Sequence, residues 1–247
     1  MSKRLRIFGG PNGSGKTTLY RVTKDKFHLG IMINADEIEA ELRNKGCFSF
    51  REKVELHVHK EKFFISFQSS SLFVVAGGAG LLAEIDVLDD ILFVKNTSLL
   101  NSYFAAYVAE YIRVALLDTG KSMAFETVMS DIRKLDFIRL AKEKGYRIYL
   151  YFITTINPML NVERVEKRVA QGGHSVPKDK IISRYTRSLD NLYDAIMLSD
   201  RSFLFDNSSE QPQWIAETEG KSLKIQGEQI PQWFQKFVLD KITIVKK

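Results

Sequence analysis

The residues Gly10-Pro-Asn-Gly-Ser-Gly15-Lys16-Thr17 fit the pattern G-x-x-x-x-G-K-[ST] at every fixed position. They stand between an apolar run ending at Phe8 and a helical pattern opening near Lys16, the setting that phosphate chemistry requires. Glycines let such a turn fold into a nest of N–H groups, and the helix behind it adds its positive end. Gly10, Pro11, Asn12, Gly13, Ser14, Gly15, Lys16, Thr17 and Thr18 therefore read as a nucleotide-phosphate site. Lys16 is placed to bridge β- and γ-phosphates, and the Thr17 hydroxyl to ligate Mg²⁺. Such a loop names the nucleotide, not the reaction. The Asn-Lys-x-Asp segment of a guanine-reading GTPase is absent, as is the Ser-Gly-Gly signature of an ABC ATPase. What remains is the pattern of a small-molecule kinase.

That pattern asks for acids near the strand ends and for mobile arginines. Asp36 follows the second strand-like run, where a carboxylate can take the proton of an incoming hydroxyl. Its bland alternative is to cap the helix starting near Glu37. Glu126, with Thr127 and Ser130, follows Met123-Ala-Phe125; with Asn34 these suit the hydroxyls of a sugar or ribose. Glu126 as a mere cap of the next helix is the competing reading. Arg164 and Arg168 lie four apart on one helical face, and Arg184, Arg187 and Asn191 on another. Between them Gln171-Gly-Gly-His174-Ser-Val-Pro177 is a glycine-hinged loop, so residues 161–191 read as an arginine-rich lid over a triphosphate. A solvated face paired with Glu163 and Glu166 is the alternative for any one arginine. His57 and His59 read as ordinary surface rather than a metal pair.

Five short β-branched or aromatic runs can carry these groups: Leu5–Phe8, Ile31–Asn34, Ser122–Phe125, Arg147–Thr154 and Ser202–Phe205. Helical patterns separate them. Residues 101–117 put Phe104, Tyr107, Val108, Tyr111, Val114 and Ala115 on one face, and residues 131–144 form an amphipathic helix stopped by Gly145. The alternation predicts an α/β fold, a P-loop NTPase or nucleoside-kinase-like parallel sheet flanked by helices, binding ligands beyond the carboxyl ends of its strands. Residues 48–100, rich in phenylalanine, form an insert between strands 2 and 3 of a single 1–247 domain. The 208–247 tail reads as a hairpin around Glu219-Gly220-Lys221 and a helix over Gln232–Asp240.

Composition narrows the classes further. With 247 residues, 45% hydrophobic and 27% charged, the chain is globular rather than disordered. Its lone Cys47 excludes an intrachain disulfide or a cysteine-based zinc site. A net charge of +6 suits phosphate-bearing ligands but is too thin to imply nucleic acid. The run 63–83 carries no charge, yet Gln68, three serines and three glycines mark it as a buried part of the insert rather than a membrane span. With no signal peptide at its start, the chain reads as cytoplasmic.

Taken in order, Gly10–Thr18, Asn34-Ala-Asp36-Glu37-Ile38, Phe125-Glu126-Thr127, Glu163-Arg164, Gly172-Gly173-His174-Ser175-Val176-Pro177 and Arg184-Tyr-Thr-Arg187-Ser-Leu resemble the zeta-toxin family of P-loop kinases, including its shorter, ATPase-like branch. The resemblance covers residues 5–46 and 101–207. It implies ATP and Mg²⁺, phosphorylation of the 3′-hydroxyl of the amino sugar in UDP-N-acetylglucosamine, and an antitoxin partner that blocks the nucleotide site. By position it makes Lys16 the phosphate-loop lysine, Asp36 the catalytic base, Glu126 a substrate-contacting acid and Arg164 the first lid arginine. Where the family has its second lid arginine this chain offers His174, so Arg168, Arg184 or Arg187 would substitute. Residues 48–100 match nothing in the family pattern. Two rival readings therefore stand beside the first: a kinase of another nucleotide, sugar or antibiotic, and a non-catalytic ATP-binding interaction module.

Overall fold

The computed structural model describes residues 3–173, 175–220, 222–227 and 229–242. They fall into two compact units, Met1–Leu29 with Ala124–Lys247, and Gly30–Met123. The chain opens in the first unit with β1 (Arg4–Gly9) and α1 (Lys16–Lys24). It then builds the second: β2 (Ile31–Ile33), α2 (Ala35–Lys45), β3 (Cys47–Ser49), α3 (Phe50–Val54), α4 (Lys60–Ser69), α5 (Gly78–Leu82), β4 (Ile85–Leu88), β5 (Ile91–Val94) and α6 (Ser102–Thr119). It returns to the first through β6 (Met123–Thr127), α7 (Arg133–Glu143), β7 (Arg147–Thr154), α8 (Pro158–Ala170), α9 (Lys178–Asp190), α10 (Leu192–Leu198), β8 (Arg201–Asp206), β9 (Gln213–Glu219), β10 (Ser222–Ile225) and α11 (Gln232–Phe237).

The sheet of the first unit runs β10-β9-β8-β7-β1-β6. β1 pairs with β7 and β7 with β8 in parallel, so the core is the parallel α/β sheet expected from the alternation of strands and helices. Leu5, Ile7, Phe8, Ile148, Leu150 and Phe152 are fully buried, the near-continuous apolar run that strands covered on both faces require. Register partners Phe8, Tyr151 and Phe203 stack ring on ring across β1, β7 and β8, at 4.9 and 5.0 Å between centroids. β9 and β10 add an antiparallel hairpin, turning at Gly220. The tail helix is shorter than expected: α11 ends at Phe237 and a single 3₁₀ turn, Leu239–Lys241, follows. Lys221 of the expected hairpin lies outside the described residues.

In the first unit α8 and α9 meet through Val162, Val165 and Ile181. Tyr185 of α9 is buried, and its hydroxyl donates to the Thr155 carbonyl at 2.7 Å. Burial pushes its phenol up to about 12.

In the second unit β3, β5 and β4 make a small antiparallel sheet. Asp89 and Asp90, both at positive φ, form the two-residue turn between β4 and β5, the twist that a tight hairpin needs. The Asp90 carboxylate accepts from the Val58 amide at 2.7 Å and pairs with His57 at 2.9 Å, so His57 serves a turn. Phe48, Phe50, Phe63 and Phe67 are core. Phe63 alone meets Phe50, Tyr107 and Tyr111 at 5.0–5.9 Å. On α6 the buried face is Phe104, Tyr107, Val108, Ile112 and Leu116; Val114, expected to be buried, is 43% exposed. The uncharged stretch 63–83 breaks between α4 and α5. Among the described residues no helix is long and apolar enough to cross a membrane.

Two measurements check this packing. Phe63→Ala should destabilise the protein by about 3–5 kcal/mol in denaturant unfolding, the usual cost of emptying an aromatic core site. The Tyr185 phenol is raised in the folded state, so its contribution is complete below pH 10 and lost as pH climbs towards 12. Tyr185→Phe should therefore make the alkaline fall in stability shallower across that window.

Candidate functional site

The phosphate loop leaves β1 at Gly9, and the Gly10 amide donates to the Thr127 carbonyl at the end of β6, 3.2 Å away. Two glycines owe their identity to close neighbours. Gly13, at φ 75°, would drive a Cβ to 2.6 Å from the Asn161 carbonyl. Gly15, at φ 102°, would drive one to 2.5 Å from the Asn207 amide nitrogen. Both positions need the left-handed backbone and the missing side chain at once.

Four loop carbonyls are held by protein donors. The Lys16 ammonium donates to Gly10 and Pro11, each at 2.8 Å. The Asn161 side-chain amide donates to Asn12 at 2.6 Å, and that of Asn207 to Ser14 at 2.8 Å. α1 begins at Lys16 with no side-chain cap and no acid in its first turn, so its positive end is left for an anion. The Ser14 hydroxyl is fully buried without a hydrogen-bond partner among the described residues.

The Thr17 hydroxyl donates to the Glu126 carboxylate at 3.0 Å. The structure thus sets Glu126 beside the expected Mg²⁺ ligand rather than at the start of a helix, which rules out the capping alternative. A hydroxyl and a carboxylate are the hard oxygen donors that Mg²⁺ takes. Thr127 serves the loop: its carbonyl holds Gly10, and its hydroxyl accepts from the Met129 amide at 3.2 Å. Met129 sits at φ 60° with its side chain buried, a strained conformation for a non-glycine residue. Its carbonyl accepts from Asn191 at 2.9 Å. Ser130 is half-buried beside this turn.

Arg164 lies on the turn of α8 between Asn161 and Val165, the two residues packed on Gly13. Its Nη1 is buried with no hydrogen-bond partner among the described residues, a donor suited to an anionic ligand. Arg168, one turn on, is exposed; Arg184 is half-buried. Arg187 is exposed and donates back to Ser183 of its own helix at 3.4 Å. His174 lies outside the described residues.

Asn34 and Asp36 belong to the second unit. Asn34 is the N-cap of α2, its side-chain oxygen accepting from the Asp36 amide at 2.9 Å. The cap is therefore Asn34 and not Asp36, whose exposed carboxylate is free of that duty. In the same unit a cavity of about 140 Å³ lies between Asn34, Glu37 and Glu41 of α2 on one side and Phe48, Lys53 and Val54 on the other. Glu41 bonds both Lys45 and Lys53, which holds its carboxyl below the usual carboxylate range. Among the described residues no cluster of three or more His, Cys, Asp or Glu side chains is grouped to hold a metal.

Asn161, Asn207 and Asn191 were not singled out as site residues from sequence, apart from Asn191's place on a helical face. Asn161 follows Asn157, the cap of α8, and Asn207 follows the last core strand; their positions in the chain were the only signal.

The model of the family described as zeta toxin matches residues 92–210, a span that holds Glu126 and the arginine helices and stops short of the phosphate loop. No curated protein sequence matches the chain. Among solved structures, one of the PezAT chromosomal toxin–antitoxin system of Streptococcus pneumoniae shares the fold at a TM-score of 0.52 and 16% identity, covering 99% of this chain and 81% of that one. The AvrRxo1-ORF1:AvrRxo1-ORF2 structure with sulphate ions aligns at a TM-score of 0.55 and 16% identity, covering 99% of this chain and 66% of that one. A further structure of that pair, with ATP, aligns at 0.55 and 15% identity, covering all of this chain and 66% of that one. This chain thus spans about two thirds of the AvrRxo1 chain's length. Residues 92–210 match the model of the zeta-toxin family, and over nearly its whole length the chain shares the fold of these toxin–antitoxin and AvrRxo1 structures.

Proposed function

We propose that the protein is an ATP- and Mg²⁺-dependent kinase of a small molecule, transferring phosphate to a hydroxyl. The reading is carried by one arrangement: a glycine-rich turn whose carbonyls are tied down, with Lys16 at its mouth and Thr17 bonded to Glu126. Lys16 and the α1 N-terminus bind the β- and γ-phosphates of ATP. Thr17 and Glu126 would hold Mg²⁺, which would neutralise phosphate charge there. The acceptor oxygen attacks the γ-phosphorus, Asp36 takes the hydroxyl proton, and the bond from the γ-phosphorus to the bridging oxygen breaks to release ADP. Arg164, with a buried N–H to spare, donates to the charge that spreads over the transferred group. The structure of AvrRxo1-ORF1:-ORF2 with ATP supports the nucleotide, and the PezAT system supports a protein partner that restrains the activity.

UDP-N-acetylglucosamine is the acceptor implied by the family. A kinase of another nucleotide, sugar or antibiotic acceptor is the second reading, favoured by His174 standing where the family has its second lid arginine.

Lys16→Ala and Asp36→Ala should each abolish ATP-dependent phosphoryl transfer; full turnover by purified Asp36→Ala removes Asp36 from the mechanism. Incubation with ATP and UDP-N-acetylglucosamine, read by mass spectrometry, separates the two acceptors. A phosphorylated nucleotide sugar supports the first, and a one-phosphate mass gain found only on another metabolite of an extract supports the second.

A further inference from the structure

Asn207 comes directly after β8, and its two nitrogens reach in different directions. The backbone amide donates to the Thr154 carbonyl at the end of β7, 2.8 Å away, and the side-chain amide donates to Ser14 in the phosphate loop. Its neighbour Asp206 is 5% exposed. One Asp206 oxygen accepts from the Ser208 amide at 2.8 Å, the other from the indole N–H of Trp233 at 2.6 Å. Ser208 in turn accepts from the Ile156 amide through its hydroxyl at 2.8 Å. Trp233, Phe234 and Val238 of the C-terminal segment are all but fully buried. Two consecutive side chains, Asp206 and Asn207, therefore join the C-terminal helix to the loop that receives the phosphates.

This geometry points to Asn207 as a positioning residue of the nucleotide site, held in place from the C-terminus by Trp233. We propose that α11 sets nucleotide affinity through this chain of bonds. The inference rests on the nucleotide reading above and adds a control element to it. A glycine-rich loop loses much backbone freedom when it is ordered around a phosphate, and a loop ordered in advance has less to lose on binding. The Asn207 amide supplies that order as a neutral donor. A carboxylate at 207 would instead set an acceptor against the Ser14 carbonyl. Trp233 acts one step back: without its N–H, a buried Asp206 carboxylate loses a partner and the 206–208 turn loosens.

The test uses the full chain and calorimetric binding of MgADP and MgATP, with no acceptor needed. Asn207→Ala should weaken both by about tenfold, the size expected for one hydrogen bond to a buried group. Trp233→Phe, which keeps the ring and removes the N–H, should weaken them by several-fold. The double variant should weaken binding by less than the product of the two, because both act along one path. In turnover the variants should raise KM for ATP and leave kcat at saturating ATP close to wild type. With Trp214→Phe, which replaces an exposed residue of β9, the emission of Trp233 alone should change as MgADP is added. If the wild type does not bind either nucleotide, the nucleotide reading fails and this inference with it. If the wild type binds and both variants bind equally well, even at a lowered melting temperature, Trp233 and Asn207 are structural only and the proposal is overturned. Should Trp233→Phe not fold, Asn207→Ala decides by the same criterion.

Discussion

A glycine-rich turn can cradle phosphates only if something holds it open, and that constraint organises the first unit. Free glycines sample too much backbone space to wait as a nest, and their own carbonyls compete for any donor nearby. Here the carbonyls of Gly10, Pro11, Asn12 and Ser14 are occupied by Lys16, Asn161 and Asn207. The positive end of α1 and the Lys16 ammonium then both favour an anion at the mouth of the loop. β1 and β7 supply the rigid edge from which the loop springs, and the buried apolar register between them makes that edge stiff.

Three asparagine side chains tie the surrounding elements to the loop and to the turn after β6. Asn161 brings α8, and with it Arg164, to the loop. Asn191 fastens the junction of α9 and α10 to the strained Met129 turn that follows Glu126. Asn207 brings in the end of β8. A carboxamide suits each place because it donates to a backbone carbonyl without adding charge beside a phosphate. The strain at Met129 is held by bonds at both of its backbone groups, the circumstance in which an unfavourable φ persists.

Much of the site could be read in one dimension because its signals are local. The glycine-rich loop depends on glycine spacing and a flanking strand and helix, all contained in the stretch Arg4–Lys24. β1 declared itself by a mostly apolar run that is continuously buried, and β7 and β8 by β-branched and aromatic residues that alternate between buried and half-buried positions. The resemblance to zeta toxins drew on the same local motifs. Less legible were features decided by direction. The face of α6 was misjudged at Val114, because a helix apolar around most of its circumference gives period alone little to choose between. Asp36 and Asn34 both suit a cap, and only the backbone geometry of residue 34 shows which one takes the role.

Sequence by itself determined the class of fold, the glycine-rich turn between β1 and α1 and the list of acids and arginines on the chain, since these follow from residue type and short-range spacing. The tertiary structure decided which of them meet. Thr17 and Glu126 are 109 positions apart, Asn12 and Asn161 149, and Ser14 and Asn207 193. Hydrogen bonds over such separations depend on strand order and register, which bring distant segments to a common edge of the sheet. No period or motif along the chain encodes that order, because it arises only when the buried faces of all the strands are satisfied together.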